Sequence, residues 1–492
     1  MTLAISLGGA FLLLCAFYVI YNAFLHPLRR YPGPLLWRSF RFPYVISIHR
    51  GDIHRRLKIF HDIYGPIVRI APNELSYSDG AAWRDIYGHR PGSSSLPFKR
   101  NPTWFKKMSP DEPDSIMGPD EKSHDRMRRA FARSFSDQSL RDQSPVIESY
   151  VETFIKQLKS QESGRQDKER VVDLNQWFNF LTFDISGDLS FGESFDCLKN
   201  GKAHPWVAIA QDFGKGLALI SSVNQYPPFH KLLRYILPKN IIQRRIDHRE
   251  MSAAKARKRL ALTTNRPDFV TPVKKYNDEK SSISDKEWEI NMSILVFAGS
   301  ETTASALSAI MRQLVQNRGA LRRLSQEIRD AFDDESRITI ASTGHLSYLK
   351  AVIDEGLRLC PPVVIGVPRV VPDGGDTVSG QWVPGGTYVA FNQFPANRQS
   401  RNFRHPNSFI PERFLLQDPE TDDMSTYQPF GTGRHSCIGK VLAYAEMRLV
   451  LARLLFAFDV RLEDEGDRWD WGEQDTFIFW EKRPLNVMLG RA

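Results

Sequence analysis

The sequence predicts a mainly α-helical body with small peripheral β-sheets, carried behind an N-terminal transmembrane helix. Three observations predict it: an uncharged run over residues 3–25, amphipathic segments dominating residues 124–360, and short β-like pieces bounded by Gly and Pro. Of the 492 residues, 41% are hydrophobic and 25% charged. Such ordinary usage excludes a disordered, collagen-like or multi-span membrane chain. The four cysteines, Cys15, Cys197, Cys360 and Cys437, are too few and too scattered for a disulfide framework. None has the CxxC spacing of a zinc finger or ribbon. Length alone suggests about three domains, yet no repeat or low-complexity linker divides residues 44–492, which read as one domain.

The N-terminal run comes first. Leu3 to Leu25 is 23 residues without a charge, and at 1.5 Å per residue it spans roughly 34 Å, enough for a bilayer core. A cleavable signal peptide would want a charged start, a shorter apolar core and a small-residue cleavage site. The start here is neutral and the run long, so an uncleaved anchor is the better reading. Arg29, Arg30, Arg38, Arg41, Arg50, Arg55, Arg56 and Lys58 follow against a single acid, Asp52. The positive-inside rule then keeps the rest of the chain in the cytosol, and the same cations can rest on anionic headgroups. Tyr31-Pro32-Gly33-Pro34 breaks the helix, so residues 26–43 read as a basic, proline-rich linker. Net charge is +9 (66 Lys and Arg against 57 Asp and Glu). This suits a membrane surface or an acidic protein; nucleic acid is not an expected partner.

In the body, Pro145–Leu158, Val171–Leu189 and Leu321–Phe332 have amphipathic helical spacing, and Ser284-Asp285-Lys286-Glu287 has capping-box spacing at the start of a long helix. Ile67–Ile70, Thr377–Val378, Tyr388–Phe391 and the stretch near Val487–Leu489 read as short strands.

Four places carry chemistry. Phe430 to Lys440 is a Gly-rich turn containing Gly431, Gly433, Cys437 and Gly439, just before a helical stretch. A lone cysteine is ordinarily a small buried hydrophobe. Here the glycines allow close approach of a flat ligand, and the helix N-terminus stabilises a thiolate, a good axial ligand for iron. Second, the long helix is apolar through Ile294–Ala298 and then polar at Gly299-Ser300-Glu301-Thr302-Thr303. The ordinary reading is a local helix distortion; the functional one is a polar groove, opened by Gly299, that holds oxygen and relays protons. Third, Glu355 and Arg358 at i,i+3 can pair, with Arg413 as a third member, a structural network rather than a catalytic one. Fourth, His124 and Arg128 at i,i+4 are a basic helix face, which would clamp propionates if a haem lay inside.

Together these residues resemble the cytochrome P-450 superfamily of haem-thiolate monooxygenases over essentially the whole chain. Phe430, Gly433, Cys437 and Gly439 match its cysteine loop, Ala298-Gly299-x-Glu301-Thr302 its oxygen-groove helix, and Glu355-x-x-Arg358 with Arg413 its structural triad. Two departures stand out: His435 occupies a position where Arg is commonest, and His124 one where Trp is frequent. Leu25–Pro34, Tyr64–Ser76 and Pro368–Gly375 are similar to filamentous-fungal microsomal members of the isotrichodermin C-15 hydroxylase type. The resemblance implies a single cytochrome P-450 domain holding haem b, iron protoporphyrin IX, with Cys437 as the metal's axial ligand. His124, Arg128, Arg369 and His435 would hold propionates, Ala298 and the three turn glycines would lie against the macrocycle, and Thr302 with Glu301 would deliver protons. It implies O₂, an apolar terpenoid, polyketide or alkaloid scaffold, an NADPH-cytochrome P-450 reductase with cytochrome b5 as a candidate second donor, and a single-pass position in the endoplasmic reticulum membrane. Pocket contacts are expected from Ser93–Met117, Leu295–Ala298, Val363–Val367 and Thr476–Phe479. The alternatives are a haem-thiolate isomerase or dehydratase that needs no O₂, against which Thr302 argues, and an anchored haem-binding module, in which Glu301 and Thr302 would be idle.

Overall fold

The computed structural model describes residues 2–88, 98–105, 112–118, 120–160, 170–226, 239–275, 282–416 and 422–492. The principal helices are α1 (Thr2–Ile20), α2 (Leu35–Ser39), α3 (Phe42–His49), α4 (Ile53–Tyr64), α5 (Glu121–Ala132), α6 (Asp137–Ser160), α7 (Leu174–Phe191), α8 (Pro205–Asn224), α9 (Lys239–Ala261), α10 (Asp285–Gln316), α11 (Arg318–Ala331), α12 (Ser347–Leu359) and α13 (Lys440–Ala457). The strands are β1 (Ile67–Ala71), β2 (Glu74–Tyr77), β3 (Lys99–Arg100), β4 (Arg170–Asp173), β5 (Arg369–Val370), β6 (Asp376–Val378), β7 (Gln381–Val383), β8 (Tyr388–Phe391), β9 (Phe458–Leu462), β10 (Thr476–Phe477), β11 (Phe479–Trp480) and β12 (Asn486–Arg491). One mixed sheet runs β1-β2-β8-β5-β3, a three-stranded sheet runs β4-β12-β9, and β6–β7 and β10–β11 are hairpins. The helical body with small sheets is the expected architecture.

The core is built around α10. Its capping box forms as expected, with Ser284 accepting from the Glu287 N–H and Glu287 accepting from the Ser284 N–H. From Thr303 to Val315 every residue is buried, and α7, α9, α12 and α13 pack against this helix. Gly299 does not open a groove. A Cβ there would meet Ser186 Oγ at 2.8 Å, so the glycine lets α7 approach α10 closely. The segment Val171–Leu189 is also not one amphipathic helix. Val171 and Val172 pair with Met488 and Val487 in β12, and the Asp173 carboxylate caps α7 by accepting from Asn175 N–H. Behind that cap α7 is buried on all sides, a core helix rather than a surface one.

The residue window Gly8–Leu25 is apolar and long enough to cross a membrane and is almost entirely outside the packed body. By the same measure α10 qualifies, but it is mostly buried as a core helix. Residues 26–43, expected as a linker, are packed onto the body: Leu28, Tyr31 and Trp37 are buried.

Glu355 and Arg358 pair in a fully buried site, with Arg358 Nε 2.7 Å from Glu355 Oε2. Arg413 joins at 3.1 Å from the same oxygen, and Ile410 N–H donates to Oε1 at 2.8 Å. Arg358 donates onward to the carbonyls of Asn397, Pro406 and Ser408. The network therefore fastens the irregular 397–413 segment to α12. Glu355→Ala would leave two buried guanidiniums without their anion. We expect it to cost about 3–5 kcal/mol, read as a lowered urea midpoint in far-UV circular dichroism; an unchanged midpoint would show that the network carries no stability.

Candidate active site

The Cys437 turn follows from its glycines. Gly431 and Gly433 have φ of +66° and +70°, and a Cβ on Gly433 would lie 1.9 Å from the Tyr87 carbonyl oxygen. No side chain fits at Gly433. Phe430 O accepts from Cys437 N–H at 2.8 Å, closing the turn. The Phe430 ring packs on Tyr444 of α13 with centroids 5.2 Å apart, and the Tyr444 hydroxyl donates to Asp354 of α12 at 2.5 Å. Gly439 caps α13. The Cys437 side chain is accessible within this frame. Burial pushes its thiol up, opposed by the Gly439 N–H and the charges of Arg128 and Lys440. These three groups favour a negative sulfur, the form that ligates a metal.

Cations gather beside the turn. Arg128 of α5 donates to Ser436 O at 2.6 Å and to Ser436 Oγ at 3.1 Å. The rings of His124 and His435 meet at a tilt of 44° with centroids 4.3 Å apart, and His124 Nδ1 is 2.7 Å from Ile116 O. Arg369 lies 5.3 Å from the Tyr87 ring centroid. In the β3–β5 ladder Arg100 stands directly opposite Arg369, where like charges are destabilising. The acid among them is Glu121, whose Oε2 is 3.1 Å from His435 Nε2. Burial would raise its carboxyl, but His435, Arg100 and Arg434 outweigh this and hold it down at about 2. Burial, with the charges of Arg100 and Arg369, pushes His435 down to about 4 despite Glu121. His435 is therefore neutral at pH 7.

This donor set fits a dianionic ligand. A bound dianion would offset the like charges of Arg369 and of Arg100, whose Nη1 donates to Ile116 O and Gly118 O. Among the described residues, Arg369 Nη1 and Thr432 Oγ1 are buried without a hydrogen-bond partner. The two propionates of a haem would satisfy these groups, with Cys437 supplying the thiolate to iron.

On α10 the accessible stripe is Ile294, Ala298 and Thr302, spaced four apart, with Phe297 and Gly299 partly accessible. Ala298 is the exposed member. The Thr302 hydroxyl donates to Ala298 O at 2.6 Å. It is not an unpartnered polar group: its hydrogen is held by the helix and its oxygen keeps free lone pairs. Glu301 points elsewhere, into a buried ion pair with Lys482 Nζ at 2.5 Å, joined by Ser305 Oγ and Asn179 Oδ1. Among the described residues, Glu301 Oε2 is buried with no hydrogen-bond partner. Among the expected pocket segments, Val364 and Ile365 are buried and Val367 is accessible. The Phe479 ring meets Phe297 edge-on at 5.1 Å, setting the β10–β11 hairpin against α10. Residues 93–97 and 106–111 lie outside the described residues.

The structure thus brings His124, Arg128, Arg369 and His435 to the Cys437 turn and sets Ala298 and Thr302 on one stripe. Sequence reasoning missed Arg100, Glu121, Tyr87 and Lys482. Glu121 had a signal, since it lies three residues before His124 on the same helix; the others are brought in by strand pairing and chain return alone.

Comparison with known proteins agrees. The Cytochrome P-450 family model matches residues 31–487. The chain is 43% identical to the cytochrome P-450 monooxygenase astJ of Aspergillus oryzae, covering 96% of this chain and 93% of that one. It is 40% identical to the averantin hydroxylase of Dothistroma septosporum, covering 98% and 90%. With the trichothecene C-15 hydroxylase of Fusarium sporotrichioides it shares 38% identity over 99% and 98%. The chain belongs to the cytochrome P-450 family, and its cofactor is the family's haem, iron protoporphyrin IX. It is an oxidoreductase that incorporates molecular oxygen, of the kind found in fungal secondary metabolism.

Two variants test the site. Cys437→Ser should abolish the thiolate-type spectrum of the reduced carbon-monoxide complex, and persistence of that spectrum would remove Cys437 as the ligand. Arg369→Ala should lose haem faster to a haem-scavenging protein, whereas an unaltered transfer rate would mean that the cation cluster does not hold the propionates.

Proposed function

We propose that the protein hydroxylates, or otherwise oxidises, an apolar secondary-metabolite scaffold of the terpenoid, polyketide or alkaloid class. Electrons would come from an NADPH-cytochrome P-450 reductase, with cytochrome b5 as a candidate second donor. The observation that carries this reading is an accessible cysteine beside a cluster of Arg128, Arg369, His124 and His435, in a fold whose central helix opens at Ala298 and Thr302. The names of two relatives, an averantin hydroxylase and a trichothecene hydroxylase, support the substrate class. The uncharged α1 with the cations at Arg29 and Arg30 supports a single-pass position in the endoplasmic reticulum membrane, the body facing the cytosol.

Each residue would have a role set by its surroundings. Cys437 presents its sulfur to iron; the Gly439 N–H, Arg128 and Lys440 hold negative charge on it. Arg100, Arg128 and Arg369 would neutralise the propionates, while His124, its Nδ1–H held by Ile116 O, and His435, beside Glu121, would line the propionate site. When bound, the haem supplies oxygen activation and insertion chemistry. Thr302 would pass a proton at Oγ1: its hydroxyl hydrogen rotates from Ala298 O toward the cleft while the oxygen accepts a replacement, a general-acid role. Glu301 would join that relay by first taking up a proton at Oε2 from water entering the cleft and then passing it on through water, with Lys482 holding Oε1 and so fixing the carboxylate's rotamer. The apolar wall of Ile294, Phe297, Val367 and Phe479 would orient the substrate and exclude water.

Thr302→Ala removes the hydroxyl without disturbing the backbone bond ladder. It should keep the haem and bind substrate nearly as well, while product formed per NADPH falls by about tenfold or more and peroxide accumulates. An unchanged ratio would show that protons arrive by another route. Product analysis of a strain lacking this enzyme, against its parent, tests the substrate class.

A further inference from the structure

The candidate membrane helix does not end in a loose tether. After α1 the chain makes a π turn over Tyr21–Leu25, and Asn22 and Ala23 within it are buried while Ile20 is 52% exposed and Phe24 68%. Asn22 Nδ2 donates to Tyr18 O at 3.0 Å and to Ser39 O at 3.4 Å. The Arg69 guanidinium of β1 donates to Asn22 O at 2.7 Å and to Asn22 Oδ1 at 3.1 Å. Its other bonds go to Pro72 O, at 2.7 and 3.1 Å. Arg69 is fully buried, and among the described residues it has no carboxylate partner. Burying a charge this way is costly unless its donors are used. Here they are divided between the anchor's end and the β1–β2 turn. The Arg69 N–H also donates to Pro32 O at 2.7 Å.

A second set of contacts carries the anchor's apolar surface onto the body. Tyr18 stacks on Phe40 at 5.6 Å, and Phe40 meets Phe42 at 5.5 Å. Helices α2 and α3 bury Trp37, Tyr44 and Ile48 while turning Leu35, Leu36, Phe42 and Ile46 outward, each 43–54% exposed. Trp382 of β7 is 52% exposed, and its carbonyl accepts from the Tyr31 hydroxyl at 2.8 Å. Indoles favour the membrane–water interface. Arg29, Arg30 and Arg50 are exposed in the same stretch, which suits anionic headgroups.

We propose that Asn22 and Arg69 clamp the membrane helix to the catalytic body, so that the outward face of α2 and α3 is held in the same lipid leaflet that receives α1. The protein then sits on the bilayer at a fixed tilt. This rests on the reading of α1 as a membrane span, and the two are tested separately.

The experiment uses full-length holoenzyme in phosphatidylcholine vesicles containing phosphatidylserine, in a Cys15→Ser background. Retention in vesicles after alkaline carbonate tests the span; release would overturn both readings. Nitroxide labels are then placed at Leu36→Cys, at Ile46→Cys and, as a solvent reference, at Arg322→Cys on α11. Sites 36 and 46 should relax more with lipid-soluble oxygen than with a water-soluble nickel chelate, and site 322 the reverse. Carbonate-resistant protein in which sites 36 and 46 behave like site 322 overturns the proposal and leaves the span standing. Adding Asn22→Ala should raise nickel accessibility at site 36 several-fold with the haem retained; no rise overturns the clamp.

Discussion

The buried Glu355 carboxylate is the constraint on which the rest of the molecule depends. It is an anion with two guanidiniums and a backbone N–H around it, out of contact with water. Such a group is stable only when all its partners are present. Those partners come from α12 itself and from the irregular chain between residues 397 and 413. That chain, with few regular hydrogen bonds of its own, is thereby given a fixed path toward the Cys437 turn. Next to Glu355 on α12, Asp354 accepts from Tyr444 and Tyr427, and Tyr444 carries Phe430. One helical turn of α12 therefore positions both the approach to the cysteine turn and its packed base.

The charge arrangement beside the cysteine suits the haem proposed to bind there. Arg100 and Arg369 face one another across a two-residue ladder, Arg128 is near, and Glu121 is the nearby acid. A haem carries two carboxylates, which would offset the repulsion between these cations. The replacement of a commoner arginine by His435 fits the same balance. With three arginines already present, a neutral imidazole supplies a hydrogen bond without a fourth buried positive charge. Its tilted ring contact with His124, the second departure from the family pattern, makes the two histidines one unit.

On α10, length and burial matter as much as the polar residues. Buried from Thr303 to Val315, the helix is a rigid rail, and before that stretch the stripe Ile294–Ala298–Thr302 reaches open space with Phe297 and Gly299 beside it. Glu301 and Thr302 are adjacent in sequence, yet a rotation of about 100° per residue sends them to different surroundings. Thr302 lies on the open stripe, and Glu301 in a dry site with Lys482. A role shared between them therefore involves the carboxylate's free oxygen rather than direct contact.

By itself the sequence determined the helical body, the capping box of α10, the early apolar helix and the glycine turn at Cys437, because each is written in local spacing: apolar periodicity, a Ser three residues before Glu, glycines where φ is positive. It also placed His124 and Arg128 on one helix face and Glu355 and Arg358 within bonding reach. Only the tertiary structure decided that Gly299 serves helix packing and that Glu301 is neutralised from residue 482. It alone set Arg100 opposite Arg369 and Arg69 against Asn22. Those pairings join residues tens to hundreds of positions apart, and strand register and chain return, which no local pattern encodes, bring them together.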